Sequence, residues 1–562
     1  MRRYFWALVV LLAGCAGQRA PEGGPVDTDP PVVASTIPPN YTTRFTGTSI
    51  TLEFNEYVDH RSVEGALFVS PSVGPLTFDW SGRELEISFA GPLRRSTTYV
   101  VTIGTDVVDL NNRNKMAQAH TLAFSTGEDI DHGAIEGRVY PRQPADSPQG
   151  VTILAYHLKD INPDTLDPRS TLPDYVTQTG KGGEFFLKHL EFGTYRVIAL
   201  RDEYKNLLYD PEVDDVGVMH GDIALTPHDT LRSHVWIRMF REETTAVRLL
   251  RVVAQNSHLL RAEFSSPLSP KISPSWFRIT DTLTSRELAV VAAAPVFPGL
   301  TSVLLSTAAQ ESDKPYRLVV DSVRSGSGLA MNPLASSSAF SGTDAPDTTG
   351  IGIASCSVED STKRVDLDAI IFVHFNFPVQ RNVPSEAITL LDGGKVVIPC
   401  NVHWLSDATV QLKPVQPLRS KVRYSLLIDL KRFVDYWGRA GKDTLLAFRF
   451  QTIDRSLFST IEGGVKDTGA DQAGPVRVVA RNAASSEGKE YEVRLDRAGP
   501  FVLQDIPEGK YILSAYRDRN GDGQYNIGRV VPFKPSERFT QYADTLKLRA
   551  RWPLEGVTMW LR

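Results

Sequence analysis

The sequence predicts an all-β chain, built as a tandem array of five small β-sandwich modules of two kinds behind an N-terminal export segment. Three observations carry this reading. Apolar residues alternate with period two in many short runs, which marks half-buried strands. Gly, Pro, Asn and Asp cluster between those runs and supply turns. Two distinct sequence patterns recur along the 562 residues, and internal repetition of this kind signals modular construction. At roughly 150 residues per domain the length implies about four domains, and more if they are small.

The chain opens with Arg2 and Arg3 ahead of a short apolar run, residues 5–13. That run is too short to span a bilayer as a helix and reads, with the basic flank, as a removable export signal over residues 1–14. Leu12, Ala13, Gly14 and Cys15 form a lipobox, in which small residues precede the cysteine that is acylated. The chain has only 3 cysteines, so a chance Cys at this point is the weaker reading. Several acyl chains on Cys15 would anchor the protein stably. Residues 15–30 are rich in Pro, Gly and charge with almost nothing apolar, which makes them a flexible tether. By resemblance to Gram-negative lipoproteins, Ala16 in place of Asp implies sorting to the outer membrane. The lack of an acidic cluster directly after it favours the periplasmic face over the cell surface. No later stretch has the eighteen or so apolar residues of a membrane helix. A net charge of -5 leaves no basic nucleic-acid footprint.

The first module pattern occurs at 31–128, 243–345 and 346–455. "LEFNEYVD" (52–59), "AEFSSPLS" (262–269) and "VHFNFPVQ" (373–380) each end an alternating run on Phe54, Phe264 or Phe375, followed by a polar residue and then Pro or Tyr with an apolar neighbour. "PLRRSTTYVVTIG" (92–104) aligns without a gap to "PLRSKVRYSLLID" (417–429), and "KPYRLVVD" (314–321) is a shorter form. Each unit closes on Phe124, Phe340 or Phe450, at spacings of 70, 76 and 75 residues from the first Phe. Trp80 and Trp404 stand mid-module and are expected to fill the core. These motifs resemble the bacterial Ig-like family first described in surface-layer proteins, with "DLNNRN" (109–114) and "DYWGRA" (435–440) in the place of its Asp-x-x-Gly-Asn turn. The module at 243–345 is the divergent one, since it lacks the Trp and carries "SGSGLAMN" where the acidic turn belongs.

The second pattern occurs at 132–242 and 456–562. "GAIEGRVY" (133–140) pairs with "STIEGGVK" (459–466), and "GEFFLKHLEFGTYRVIALRD" (183–202) pairs with "GPFVLQDIPEGKYILSAYRD" (499–518). This resembles the transthyretin-like modules seen as carboxypeptidase regulatory domains. With these assignments nearly all of the chain after the tether is used, and no block is left for a catalytic domain.

The motif content agrees. No phosphate-binding Gly-rich loop, nucleophile elbow or zinc-helix motif is present. One Ser-x-x-Lys, Ser486 to Lys489, lies in a small-residue turn and is read as chance, and the 11 histidines are scattered. The expectation is therefore a protein that is not an enzyme.

Three places remain as candidate sites. Cys356 and Cys400 share one Ig-like module, and export places them in an oxidising compartment. They are expected either as a disulfide or as two buried thiols. Tyr436 and Trp437 lie in a turn, where a Trp is hard to bury, and offer a glycan platform or simple turn packing. In "DRNGDGQYNIG" (518–528), Asp518, Asn520 and Asp522 match positions 1, 3 and 5 of a calcium loop and Gly523 matches position 6. Gln524 and Asn526 would complete a weak site. Against it, position 12 is Arg529, the flanks "KYILSAY" and "RVVPF" read as strands, and the sister module "RDEYKNLLYDPEVDDVG" (201–217) lacks the alternating acids. A polar hairpin is the other reading. Apart from calcium there, no cofactor is expected.

The expected function is a non-catalytic, outer-membrane-anchored structural, adhesive or ligand-presenting modular rod. The alternative is an accessory subunit or assembly factor docking on an outer-membrane transport or secretion complex, and a third reading is glycan binding. The expected partners are the membrane, through the anchor, and an envelope protein or glycan.

Overall fold

A computed structural model describes residues 26–159, 161–348, 350–469, 471–484 and 489–562. The export segment, Cys15 and Ser486 lie outside the described residues. The regular structure of the rest is nearly all strand, and among the described residues ten sheets pair into five two-sheet sandwiches in chain order. An unforeseen helix, His60–Gly65, is a single short turn begun by Asp59, whose side chain accepts from Arg61 N and Ser62 N.

The chain divides into two units. The first comprises the chain up to Arg241 together with Gln524–Arg538. Its first sandwich sets Val33–Ile37, Ser49–Phe54, Glu84–Phe89 and Leu76–Ser81 against Leu67–Ser70, Thr98–Ile103 and His120–Ser125. Alternation turns Ile50, Leu52 and Phe54 inwards onto Leu85, Ile87, Tyr99 and Phe124, and Trp80 packs on that core beside Phe54. Its second sandwich pairs the strand Gly133–Tyr140 with Glu184–Leu190 and, in parallel, with Leu231–Arg238. The facing sheet runs Tyr175–Gln178, Thr152–His157, Gly193–Arg201 and Asp215–Val218. Gly137 is required where the parallel strand crosses, because a Cβ there would meet the Val235 carbonyl and the Phe185 ring.

The joint inside this unit is continuous. Val100 of the first sandwich belongs to the apolar cluster of the second. Thr105 Oγ1 donates to Thr179 O at 2.9 Å, and Asp106 N donates to Gln178 Oε1 at 3.1 Å.

The segment Gln524–Arg538 is the main departure from expectation. "RVVPF" is not a strand. Arg529 and Lys534 close a small loop through reciprocal backbone hydrogen bonds of 2.9 and 3.0 Å. Val530, Val531 and Phe533 then lie with Leu154, Tyr156, Ile198, Leu200, Val216 and Val218 on the outer face of the second sandwich's larger sheet. The Arg196 guanidinium sits 3.7 Å from the Phe533 ring centroid. Ser536 donates from N to Met219 O and from Oγ to Val218 O, both at 3.1 Å. That sheet is therefore apolar on both faces.

The second unit comprises Glu242–Gly523 and Phe539–Arg562. Its first sandwich sets Leu249–Asn256, Leu259–Phe264, Ser302–Thr307 and Val290–Pro295 against Glu287–Leu288, Phe277–Asp281, Pro315–Val320 and Ser337–Ser341. Its second sets Ile353–Cys356, Ile371–Phe375, Thr409–Pro414 and Cys400–Ser406 against a five-stranded sheet around Arg423–Asp429 and Leu445–Thr452. Leu259, Ala294 and Leu304 of the former belong to the apolar cluster of the latter, with Phe375 and Phe377. The last sandwich repeats the topology of the second. Ser459–Asp467 pairs with Pro500–Ile506 and, in parallel, with Leu554–Leu561. Gly463 takes the role of Gly137, facing the Val557 carbonyl and the Phe501 ring.

Candidate functional site

The recurrent motifs of the three segments with the first pattern turn out to be hydrogen-bonding devices. In the Pro-Leu…Tyr motif, the tyrosine hydroxyl accepts the backbone N–H five residues earlier: Tyr99 from Arg94 at 2.7 Å, Tyr316 from Glu311 at 3.3 Å and Tyr424 from Arg419 at 2.8 Å. In the acidic turn, buried Asp109 accepts from Asn112 N, Arg113 N and Asn114 N. Burial alone would raise its pKa, yet those N–H groups together hold the carboxyl below the usual range. Asp435 likewise accepts hydrogen bonds from Trp437 N and Arg439 N, at 2.8 and 2.9 Å. In the divergent segment Ser325 takes the place, accepting from Leu329 N at 3.1 Å. The apolar residue after each Phe motif (Val58, Leu268 or Val379) bridges to Asp109, Ser325 or Asp435 in turn. Two separated motifs thus meet in space in every copy.

That geometry overturns the glycan-platform reading of the "DYWG" turn. Tyr436 points inwards, and its hydroxyl donates to Asp407 Oδ2 at 2.9 Å. Burial, then Asp407, pushes its pKa up to about 12. Trp437 is 38% exposed, with its ring 5.1 Å from His258 of the preceding sandwich. One aromatic is spent on the turn and the other on a module joint, so they form no shared flat surface.

The disulfide reading is overturned as well. Cys356 and Cys400 are both free. They lie on the two outer strands of one sheet, whose order is Ile353–Cys356, Ile371–Phe375, Thr409–Pro414, Cys400–Ser406. Three inter-strand steps of about 4.8 Å separate them by about 14 Å at the least, where a bridge needs Cα atoms about 6 Å apart. Burial raises both thiol pKa values, that of Cys400 to about 11. Both are therefore poor nucleophiles at neutral pH.

In the loop at 518–528 the first ligand position is occupied by an ion pair. Asp518 is fully buried, and its Oδ2 accepts from Arg477 Nε at 2.7 Å and from Gly523 N at 3.0 Å. The Asp518 contact raises the pKa of Arg477 further. Asn520 Nδ2 donates to Asp522 Oδ2 at 2.8 Å, and Asp522 N donates to Asn520 Oδ1 at 3.1 Å, so this pair folds on itself. Gly521 and Gly523 take φ of +73° and +82°, as a glycine turn requires. Gln524 and Asn526 open the segment that packs in the first unit. There Asn526 N donates to Glu537 Oε2, and its Oδ1 accepts from Gly528 N, each at 3.0 Å. The guanidinium supplies the positive charge that the calcium reading assigned to a metal. No group of three or more His, Cys, Asp or Glu positioned to hold a metal occurs among the described residues.

The sequence reading missed a cleft at the joint of the second unit's first two sandwiches. Its volume is about 390 Å³, and its walls include Gln255, Asn256, Arg261, Asp347, Phe375 and Phe377. Only Arg261, a lone cation at an outward position of an alternating strand, could have hinted at it.

Residues 27–126 and 347–452 each match the model of the bacterial Ig-like domain. No curated protein matches the chain. Among solved structures, the N-terminal part of the bacterial S-layer protein SbsC is 13% identical over 37% of this chain and 45% of its own, with a TM-score of 0.17. Domains 1–6 of the surface layer protein SbsC are 9% identical over 94% of this chain and 68% of theirs, with a TM-score of 0.15. L,D-transpeptidase 3 from Mycobacterium tuberculosis is 13% identical over 26% of this chain and 47% of its own, with a TM-score of 0.14. The match to the SbsC fragment thus spans less than half of that fragment's length.

Proposed function

We propose, from the two segments that match the bacterial Ig-like model, that this chain is a non-catalytic modular scaffold of the bacterial envelope, anchored in the outer membrane by lipid on Cys15. The observation that carries the scaffold reading is continuity at the joints. At one joint in each unit neighbouring sandwiches share apolar side chains, Val100 in the first and Leu259 and Leu304 in the second. Independent beads on flexible linkers would have polar ends, whereas buried apolar joints hold neighbours in register. The sandwiches at 132–242 and 456–562 are read as transthyretin-like spacers, by their motifs and by the parallel closing strand that both possess.

Anchoring is supported by the lipobox and by the tether after it. Cell fractionation tests it. The wild-type chain is expected with the outer membrane, facing the periplasm and hence shielded from protease added to whole cells. Cys15→Ala should accumulate in the soluble or inner-membrane fraction, and its unchanged recovery with the outer membrane would sink the anchoring reading.

A second reading, an accessory subunit docking on an outer-membrane complex, is favoured by the last sandwich. Trp560 is 38% exposed between Lys466 and Arg562, each about 5 Å from its ring, and Trp552 is 72% exposed. A stoichiometric membrane-protein partner in pull-downs, lost on Trp560→Ala, would select this reading.

A further inference from the structure

The cleft in the second unit has chemistry that the scaffold reading leaves unused. At about 390 Å³ it falls at the small end of the range that holds organic ligands. Arg261 stands on the strand Leu259–Phe264, whose Leu260, Ala262 and Phe264 are buried in their own sandwich. Alternation therefore sends Arg261 to the opposite face, where it lines the cleft. Its Nε is buried and has no hydrogen-bond partner.

The acids nearby are already engaged. Glu263 gives its two carboxylate oxygens to Arg251, at 2.6 and 3.1 Å. Asp347 accepts from Gly350 N at 3.0 Å and lies 3.8 Å from Arg439 Nη1. Arg439 in turn has a buried Nη2 without a partner, and its guanidinium lies 5.5 Å from the ring of Phe377, a wall of the cleft. A buried donor left without an acceptor is costly. The planar guanidinium fork fits the oxygen pairs of carboxylate and phosphate, while the amides of Gln255 and Asn256 and the walls of Phe375 and Phe377 suit the rest of a small molecule.

We propose that this cleft binds a small oxyanionic ligand, with a carboxylate or phosphate group held on Arg261. The site stands independently of where the chain is anchored.

Isothermal titration of the detergent-solubilised full chain tests it, with D-glucuronate, inorganic phosphate and D-glucose as probes. Saturable binding of at least one anion, with glucose silent, is expected. Glucuronate alone identifies a carboxylate ligand, phosphate alone a phosphate ligand, and both together the shared oxyanion chemistry. Arg261→Gln should weaken binding by about tenfold or more. Silence of both anions, equal binding of glucose, or an unchanged isotherm in Arg261→Gln overturns the proposal. Should that variant fail to fold by circular dichroism, phenylglyoxal labelling of Arg261 in the wild-type chain replaces it. Protection by the anions but not by glucose supports the site, and labelling that no anion slows removes it.

Discussion

Tyr424 is buried, and its hydroxyl takes a single backbone N–H, that of Arg419. Tyr424→Phe keeps the ring and strands that N–H, so it should cost about 1–2 kcal/mol, read as faster amide exchange across Arg423–Asp429. Arg477→Leu is expected to cost more, about 3–5 kcal/mol, because it leaves the Asp518 carboxylate buried without a counter-charge. In wild type the same pair should leave the melting temperature unmoved between EDTA and millimolar calcium, and a calcium-dependent rise would restore the metal reading. His220 gives the pH dependence. Burial, aided by the charges of Arg538 and Arg232, lowers its pKa to about 4, against roughly 6.5 in the unfolded chain. The unfolded state therefore binds the extra proton between those values, so stability is full above about pH 6.5 and falls as pH drops towards 4. Allowing for partial exposure, about 2 kcal/mol is at stake. His220→Gln should flatten that limb of the stability profile.

At the scale of elements, the segment Gln524–Arg538 has no regular strand but has a buried anchor, Val530, and a ring stacked under Arg196. The face it covers includes Leu154, Tyr156, Ile198 and Leu200. Phe533→Ala combined with Val530→Ala should loosen the segment. Trypsin, expected to spare it in wild type, should then cut at Arg529, and amides of Thr152–His157 and Gly193–Arg201 should exchange faster. Unchanged cleavage would mean that the segment is held by its backbone hydrogen bonds alone. The sheet order of the cysteine strands makes a second expectation. Alkylation of the denatured chain without reductant should add a label to both Cys356 and Cys400. The strand reading of "RVVPF" and the disulfide alternative for the cysteine pair fail for one reason: alternation and proximity in sequence are local, whereas a strand needs a partner edge and a disulfide needs neighbouring strands.

At the scale of the molecule, the joints carry the scaffold reading. Leu259 lies at the junction of the second unit's first two sandwiches. Leu259→Asp puts an unpaired charge into an apolar joint, and proteolysis within 342–350, the connecting stretch, should accelerate while the core strands of both sandwiches stay protected. Equal cleavage of wild type and variant would mean that the joint does not restrain its neighbours.

The all-β class and the tandem array of small β-sandwiches were legible in the sequence, because period-two alternation and motif repetition are properties of short stretches that strand pleating and turn chemistry impose directly. The roles of Tyr99, Tyr424, Asp109 and Asp435 were half legible: their recurrence was visible, but not the backbone N–H groups they serve. Only the tertiary structure decided that Asp518 faces Arg477, that Cys356 and Cys400 stand on opposite edges of a sheet, that residues 524–538 complete the first unit, and that Arg261 lines a cleft. Each depends on which side chains meet across long sequence separations, and that is set by sheet order and by packing between sandwiches, to which no local pattern of residues is sensitive.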